Sequence, residues 1–134
     1  MNEKETYMEE NMNVVCLADA EPKEVAEKAA EILDNKKGKD IKVLYVGDKT
    51  DISDYFVLVS GNSNTHIRTL ADEVEYQLGL CSVPLLNYEG RGNGTWVLLD
   101  YGRVVVHVFS REAREFYNLD KLYREKREEQ SNEE

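Results

Sequence analysis

What this chain lacks narrows it first. Its two cysteines, Cys16 and Cys81, lie far apart and without CxxC spacing. Neither a disulfide framework nor a thiolate metal site is therefore expected, and reduced thiols in a cytoplasmic protein are the plain reading. No apolar run approaches the ~20 residues that cross a bilayer, so no membrane association is expected. The first residues are acidic, unlike the basic and then apolar pattern of a signal peptide. Basic stretches are missing too: 17 Lys and Arg stand against 27 Asp and Glu, a net charge of −10. A chain with no cationic stripe to follow phosphates is expected to make little direct contact with RNA or DNA. Histidine occurs twice, at His66 and His107, with no carboxylate or cysteine at ligand spacing, and no serine or cysteine sits in a nucleophile motif. No catalytic residue, metal or cofactor is expected.

With 134 residues, 41% of them apolar, the chain suits one domain with a real core. The acidity is concentrated at the ends. Residues 1–24 hold seven acidic groups against two basic, and residues 111–134 eight against six, so the ends carry −7 of the −10. Residues 1–20 read as a flexible acidic extension, with Val14–Leu17 its one sticky point, and 124–134 as a charged tail. The domain itself is expected over 21–123.

The most informative stretch runs from Glu89 to Phe109. A glycine-rich loop, Glu89-Gly90-Arg91-Gly92-Asn93-Gly94, precedes two β-rich runs, Trp96–Leu99 and Val104–Phe109, joined through Asp100-Tyr101-Gly102-Arg103. That arrangement predicts an antiparallel hairpin. With Tyr101-Gly102 as the tip, Asp100 faces Arg103, Leu99 faces Val104 and Trp96 faces His107. The strand period of two then places Val97, Leu99, Val104, Val106 and Val108 on one aliphatic face, which belongs in the core. Trp96, Leu98, Val105 and His107 share the other face, which covers a second layer or meets a partner.

Pro22 suits the first turn of a helix, whose apolar stripe is Val25, Ala29, Ile32 and Leu33, with Gly38 ending it. Ile41–Val46 and Tyr55–Ser60 read as strands, and the second, apolar on both sides at Phe56–Val59, suits an inner position. Thr65–Leu78 is the clearest helix: Ile67, Leu70, Ala71, Val74 and Leu78 follow its period, with Asn64 as N-cap and Gly79 at its end. Val83–Tyr88 reads as a short strand with Pro84 at an edge-tolerant position. Ser110 caps a final helix that carries Ala113, Phe116 and Tyr117. This order predicts an α/β domain with one mixed five-stranded sheet covered by helices.

Two features admit more than one use. The turn Ser60-Gly61-Asn62-Ser63-Asn64-Thr65 joins a strand to a helix and could offer backbone N–H groups to an anion, as in the Gly-Ser turn of nucleotidyltransferases. Nucleotidyl transfer also needs paired carboxylates on the neighbouring strand, and Val83–Tyr88 contains none. The bland use is a helix cap. For Trp96 the alternatives are core and contact. Tyr88, Arg91, Trp96 and Tyr101 cluster around the glycines, and such residues are enriched at interface hot spots.

Taken together, Asp51–Phe56, Ser60–His66, Glu89-Gly90 and Trp96–Phe109 resemble the ribosomal silencing factor family (RsfS, Iojap-like), in the right order over about Pro22 to Tyr123. The resemblance implies a nucleotidyltransferase-like fold without catalytic carboxylates. It also implies binding to the free large ribosomal subunit through that subunit's fourteenth protein, which blocks small-subunit joining and represses translation. It further implies a homodimer in the free state, as members often form. By the same resemblance the partner surface centres on Glu89, Gly90 and Trp96, with Tyr88, Arg91 and Tyr101 as neighbours. The alternative is a nucleotidyltransferase-like nucleotide-binding protein using Ser60–Thr65.

Overall fold

A computed structural model describes residues 16–90 and 94–123. The expectations for 1–15, for Arg91 and for 124–134 lie outside the described residues. The chain runs α1 (Pro22–Asn35), β1 (Lys39–Tyr45), β2 (Tyr55–Gly61), α2 (Asn64–Leu80), β3 (Asn87–Glu89), β4 (Trp96–Asp100), β5 (Val104–Ser110) and α3 (Arg111–Tyr117). Residues 119–123 form one further helical turn. The five strands make one sheet in the order β1-β2-β5-β4-β3. β2 and β5 are parallel and every other pair is antiparallel, so the sheet is mixed.

Helices α1 and α2 cover one face. Every apolar position that the helical period singled out is buried there, with Ala26 added to α1. They pack on Val57, Val59, Val97, Leu99, Val104, Val106 and Val108. Each large aliphatic side chain removed from water contributes about 1.5–3 kcal/mol, so this layer dominates the stability. Leu17 joins the same core, and its backbone N–H donates to the Cys81 carbonyl at 2.7 Å. The chain is thus pinned before α1 begins.

The element ends differ from expectation for local reasons. Lys37, not Gly38, takes the left-handed conformation after α1 (φ 64°). Gly38 serves close packing instead, since a Cβ there would lie 2.5 Å from Val59 Cγ2. Ser63, rather than Asn64, caps α2 by accepting from the His66 N–H at 3.1 Å. The helix then runs through Gly79 to Leu80, since glycine within a last turn costs only about 1 kcal/mol. Ser82 adopts positive φ and Pro84 has no N–H, which delays β3 until Asn87.

The hairpin register moves by two residues. Trp96 pairs with Phe109, Leu98 with His107 and Asp100 with Val105. The Tyr101 N–H donates to the Val104 carbonyl at 2.9 Å, so Gly102-Arg103 form the tip. Gly102 has φ 88°, and a tight hairpin turn favours glycine at this first central position. Because the shift is even, both faces keep the residues expected of them. The Asp100–Arg103 pairing is replaced: Asp100 accepts from the Gly102 N–H, and Arg103 pairs with Asp54 through Nε at 2.8 Å and through a second, shorter bond. The Arg103 carbonyl accepts from Asp54 N, Tyr55 N and the buried Ser53 hydroxyl. The segment before β2 therefore locks the tip of a hairpin some fifty residues later in the sequence.

Candidate partner-binding site

The second face of the sheet is only partly covered. α3 and the turn at 119–123 lay Ala113 and Leu119 over Leu58 and Phe109. Arg114 fastens this layer. Although only 8% exposed, it donates to Asp120 at 2.7 and 2.8 Å, to the Ser60 hydroxyl at 3.1 Å and to the Asp40 carbonyl at 2.7 Å. Those bonds to Arg114 hold the Asp120 carboxyl below its usual range.

Beyond α3 the face opens into a groove. Glu89, Leu98 and His107 form one row across three strands, and Trp96 pairs with Phe109 on the same side. Tyr117 reaches over from α3, its ring centroid 4.5 Å from that of Trp96. The space of about 290 Å³ is lined by Glu89, Gly90, Thr95, Trp96, Leu98 and Tyr117. It combines aromatic walls with an exposed carboxylate, a pairing that suits a cationic or mixed apolar–cationic group.

Glycines make the groove possible. Gly90 has φ 86°, and a Cβ there would lie 2.1 Å from the Trp96 carbonyl oxygen, so only glycine lets the chain leave β3 so close to β4. Gly94, also at positive φ, sits where a Cβ would meet the Asn64 side chain at 2.7 Å. The loop thus returns against the start of α2. Trp96 is half-buried. It leans on Phe109 with centroids 5.0 Å apart, and its Nε1–H donates to His107 Nδ1 at 3.1 Å. Its two readings therefore merge: one side of the ring packs, and the other borders the groove.

Of the six residues assigned to this surface, the structure brings Glu89, Gly90 and Trp96 together. Tyr88 and Tyr101 point the other way. Tyr88 pairs with Leu99, packs against the aliphatic core and donates to Asp72 at 3.2 Å. Tyr101 is 9% exposed within that core, so its expected role as a partner contact is corrected to a core role. Burial first, then the charges of Glu75 and Tyr88, push its phenol pKa up, and it stays neutral. The register explains the error, because Tyr101 precedes the tip and its ring closes the core. Arg91 lies outside the described residues. Tyr117 and the 81% exposed Phe116 beside it went unassigned. Their spacing on a short helix carries no sign that α3 would cross above Trp96.

The turn after β2 borders a separate space of about 370 Å³, lined by residues that include Gly61, Asn62, Ser63, Arg111 and Glu112. His66 beside it is structural: Nδ1 accepts from the Asn62 N–H and Nε2 meets the Lys36 carbonyl, both at 2.9 Å. With Nδ1 accepting, Nε2 carries the proton and donates.

A family model described as "Ribosomal silencing factor during starvation" matches residues 19–134. The chain belongs to the ribosomal silencing factor family. A silencing factor of Bacillus subtilis is 36% identical over 101 residues, 75% of this chain and 86% of its own length. A crystal structure of a Chromobacterium violaceum protein superposes with a TM-score of 0.75 at 35% identity, covering 77% of this chain and 86% of that one. The mouse protein "Mitochondrial assembly of ribosomal large subunit protein 1" is 32% identical, over 69% of this chain and 42% of its own length.

Proposed function

We propose that this silencing-factor family member acts without chemistry, as an anti-association factor. It docks on the free large ribosomal subunit through that subunit's fourteenth protein, hinders joining of the small subunit and so represses translation in the cytoplasm. The observation that carries this reading is the groove in which Trp96, Tyr117 and Glu89 surround one opening. An aromatic anchor at a partly dry site is what interface hot spots are made of. A carboxylate beside it favours a cationic partner surface, and a chain of net charge −10 is repelled by exposed RNA phosphates. Docking on a basic protein patch satisfies both conditions and weakens as salt rises. The names of the relatives, ribosomal silencing factor and mitochondrial assembly of the large ribosomal subunit, fit a large-subunit partner.

Co-sedimentation with purified large subunits tests this reading. Trp96→Ala should lose about 2 kcal/mol or more of binding, roughly thirtyfold. Because Trp96 is half-buried, the same change should also cost some fraction of the ~3–5 kcal/mol of a core truncation. Glu89→Lys removes that ambiguity, since Glu89 is exposed on the short edge strand β3. It should leave unfolding unchanged while weakening binding most at low salt. Wild-type binding by both variants would refute the assigned surface.

The turn Gly61–Asn64 keeps a second reading open, because Arg111 borders the adjoining space and could meet an anion. Among the described residues Glu112 is the one carboxylate lining that space, whereas metal-assisted phosphoryl transfer uses paired ones. Calorimetry with nucleoside triphosphate and Mg²⁺ decides it. Sub-millimolar binding abolished by Asn62→Ala would favour a nucleotide-binding role.

A further inference from the structure

His107 is an odd residue for its place. It lies at the middle of β5, only 4% exposed, with Leu58 on one side and Leu98 on the other. Its ring meets Phe56 edge-on at 4.7 Å and runs parallel to Phe109 at 6.0 Å. Nothing in so apolar a setting calls for an imidazole. Its Nδ1 accepts the Trp96 indole N–H, which places the proton of the neutral ring on Nε2. That Nε2 is buried and has no hydrogen-bond partner among the described residues. An orphaned donor of this kind costs the fold free energy, whereas an apolar side chain of similar shape would not.

We propose that His107 is a positioning residue, which fixes the indole of Trp96 so that the anchor meets its partner through the ring and not through its N–H. The proposal rests on the reading of Trp96 as the anchor. The tilted ring contacts with Phe109 and Tyr117 are apolar and carry no directional bond, so they set little about rotation of the indole in its own plane. The bond to Nδ1 is directional and sets it. An indole has one N–H, so while His107 holds it Trp96 has no donor to offer a ligand. The groove then selects apolar or cationic groups over carbonyl or carboxylate acceptors. Burial lowers the His107 pKa to about 4, so Nδ1 remains an acceptor at neutral pH.

The test compares His107→Leu, which removes the acceptor, with His107→Asn, whose side-chain oxygen lies near the position of Nδ1. The chain has one tryptophan, so a single indole N–H resonance reports the bond directly. In wild type that proton should be shifted downfield and exchange slowly, with nitrogen shifts of His107 showing the Nε2–H tautomer. In His107→Leu it should move upfield and exchange fast, and binding to purified large subunits should weaken roughly tenfold, while the unfolding midpoint stays level or rises. His107→Asn should recover much of the indole shift and of the binding. The opposite tautomer in wild type would overturn the proposal. So would full binding by His107→Leu when Trp96→Ala has lost it, or a His107→Leu variant that loses stability in proportion to binding. If Trp96→Ala itself binds like wild type, it is the anchor reading that fails, and the indole resonance still decides whether His107 orients the ring.

Discussion

The two faces of the sheet are built from the same strands by different means. Toward α1 and α2 the side chains are almost all aliphatic, and the layer closes fully over Val57, Leu99, Val106 and their neighbours. Toward α3 they are aromatic and polar: Phe56, Trp96, His107 and Phe109, with a buried arginine holding the cover in place. The first face exchanges water for close packing, with the Tyr88–Asp72 hydrogen bond at its edge. The second gives up part of that gain to hold an indole at the rim of an open groove. Stability and recognition are thus separated by the pleat, because successive residues of one strand serve opposite tasks.

The largest expected effect tests the first face alone. Leu70 of α2 is fully buried in the aliphatic layer, and Leu70→Ala should cost about 2–5 kcal/mol. Denaturant unfolding would show it, and subunit binding per folded molecule should be unchanged. A small loss would mean that this layer is not where the stability lies.

Acid should act on the second face. His107 is neutral in the fold down to about pH 4, whereas in the unfolded chain it takes up a proton near its ordinary 6.5. Between those values the unfolded state binds more protons, so stability should fall as pH falls, by on the order of 3 kcal/mol in total. Asp120 adds a later loss. Its folded pKa is depressed by Arg114, so the stability it contributes above the usual carboxylate range disappears as pH drops through that lower value. Unfolding followed from pH 7 to pH 4 should show the first decline in wild type and not in His107→Leu. Equal slopes in both would place the sensitivity elsewhere.

The smallest effect sharpens the boundary of the groove. Phe116 is 81% exposed and adjoins Tyr117. Phe116→Ser should change stability by no more than about 0.5 kcal/mol, yet weaken subunit binding if the partner extends over α3. Unchanged binding would confine the contact to the groove itself.

Much of this is legible in the sequence alone. The helical period singled out all five buried residues of α2, and strand alternation separated Val97 and Leu99 from Trp96 and Leu98. Those patterns are local, carried by residues a few positions apart. The misreadings are equally specific. Placing the turn at Tyr101-Gly102 sent Tyr101 to the surface, although a tip at Gly102-Arg103 leaves its ring inside. The Arg103–Asp54 pair and the bonds of Arg114 to Ser60 and Asp40 were illegible for another reason, since each joins residues about fifty or more positions apart.

By itself, then, the sequence determined the elements and the sorting of their faces, because periodicity and glycine placement act over short stretches of backbone, and its motifs carried the family resemblance. Only the tertiary structure decided that Tyr117 closes a groove with Glu89 and Trp96, and that His107 holds the indole. Those contacts depend on how α3 crosses the sheet and on a register set by one turn. No local pattern encodes either of them.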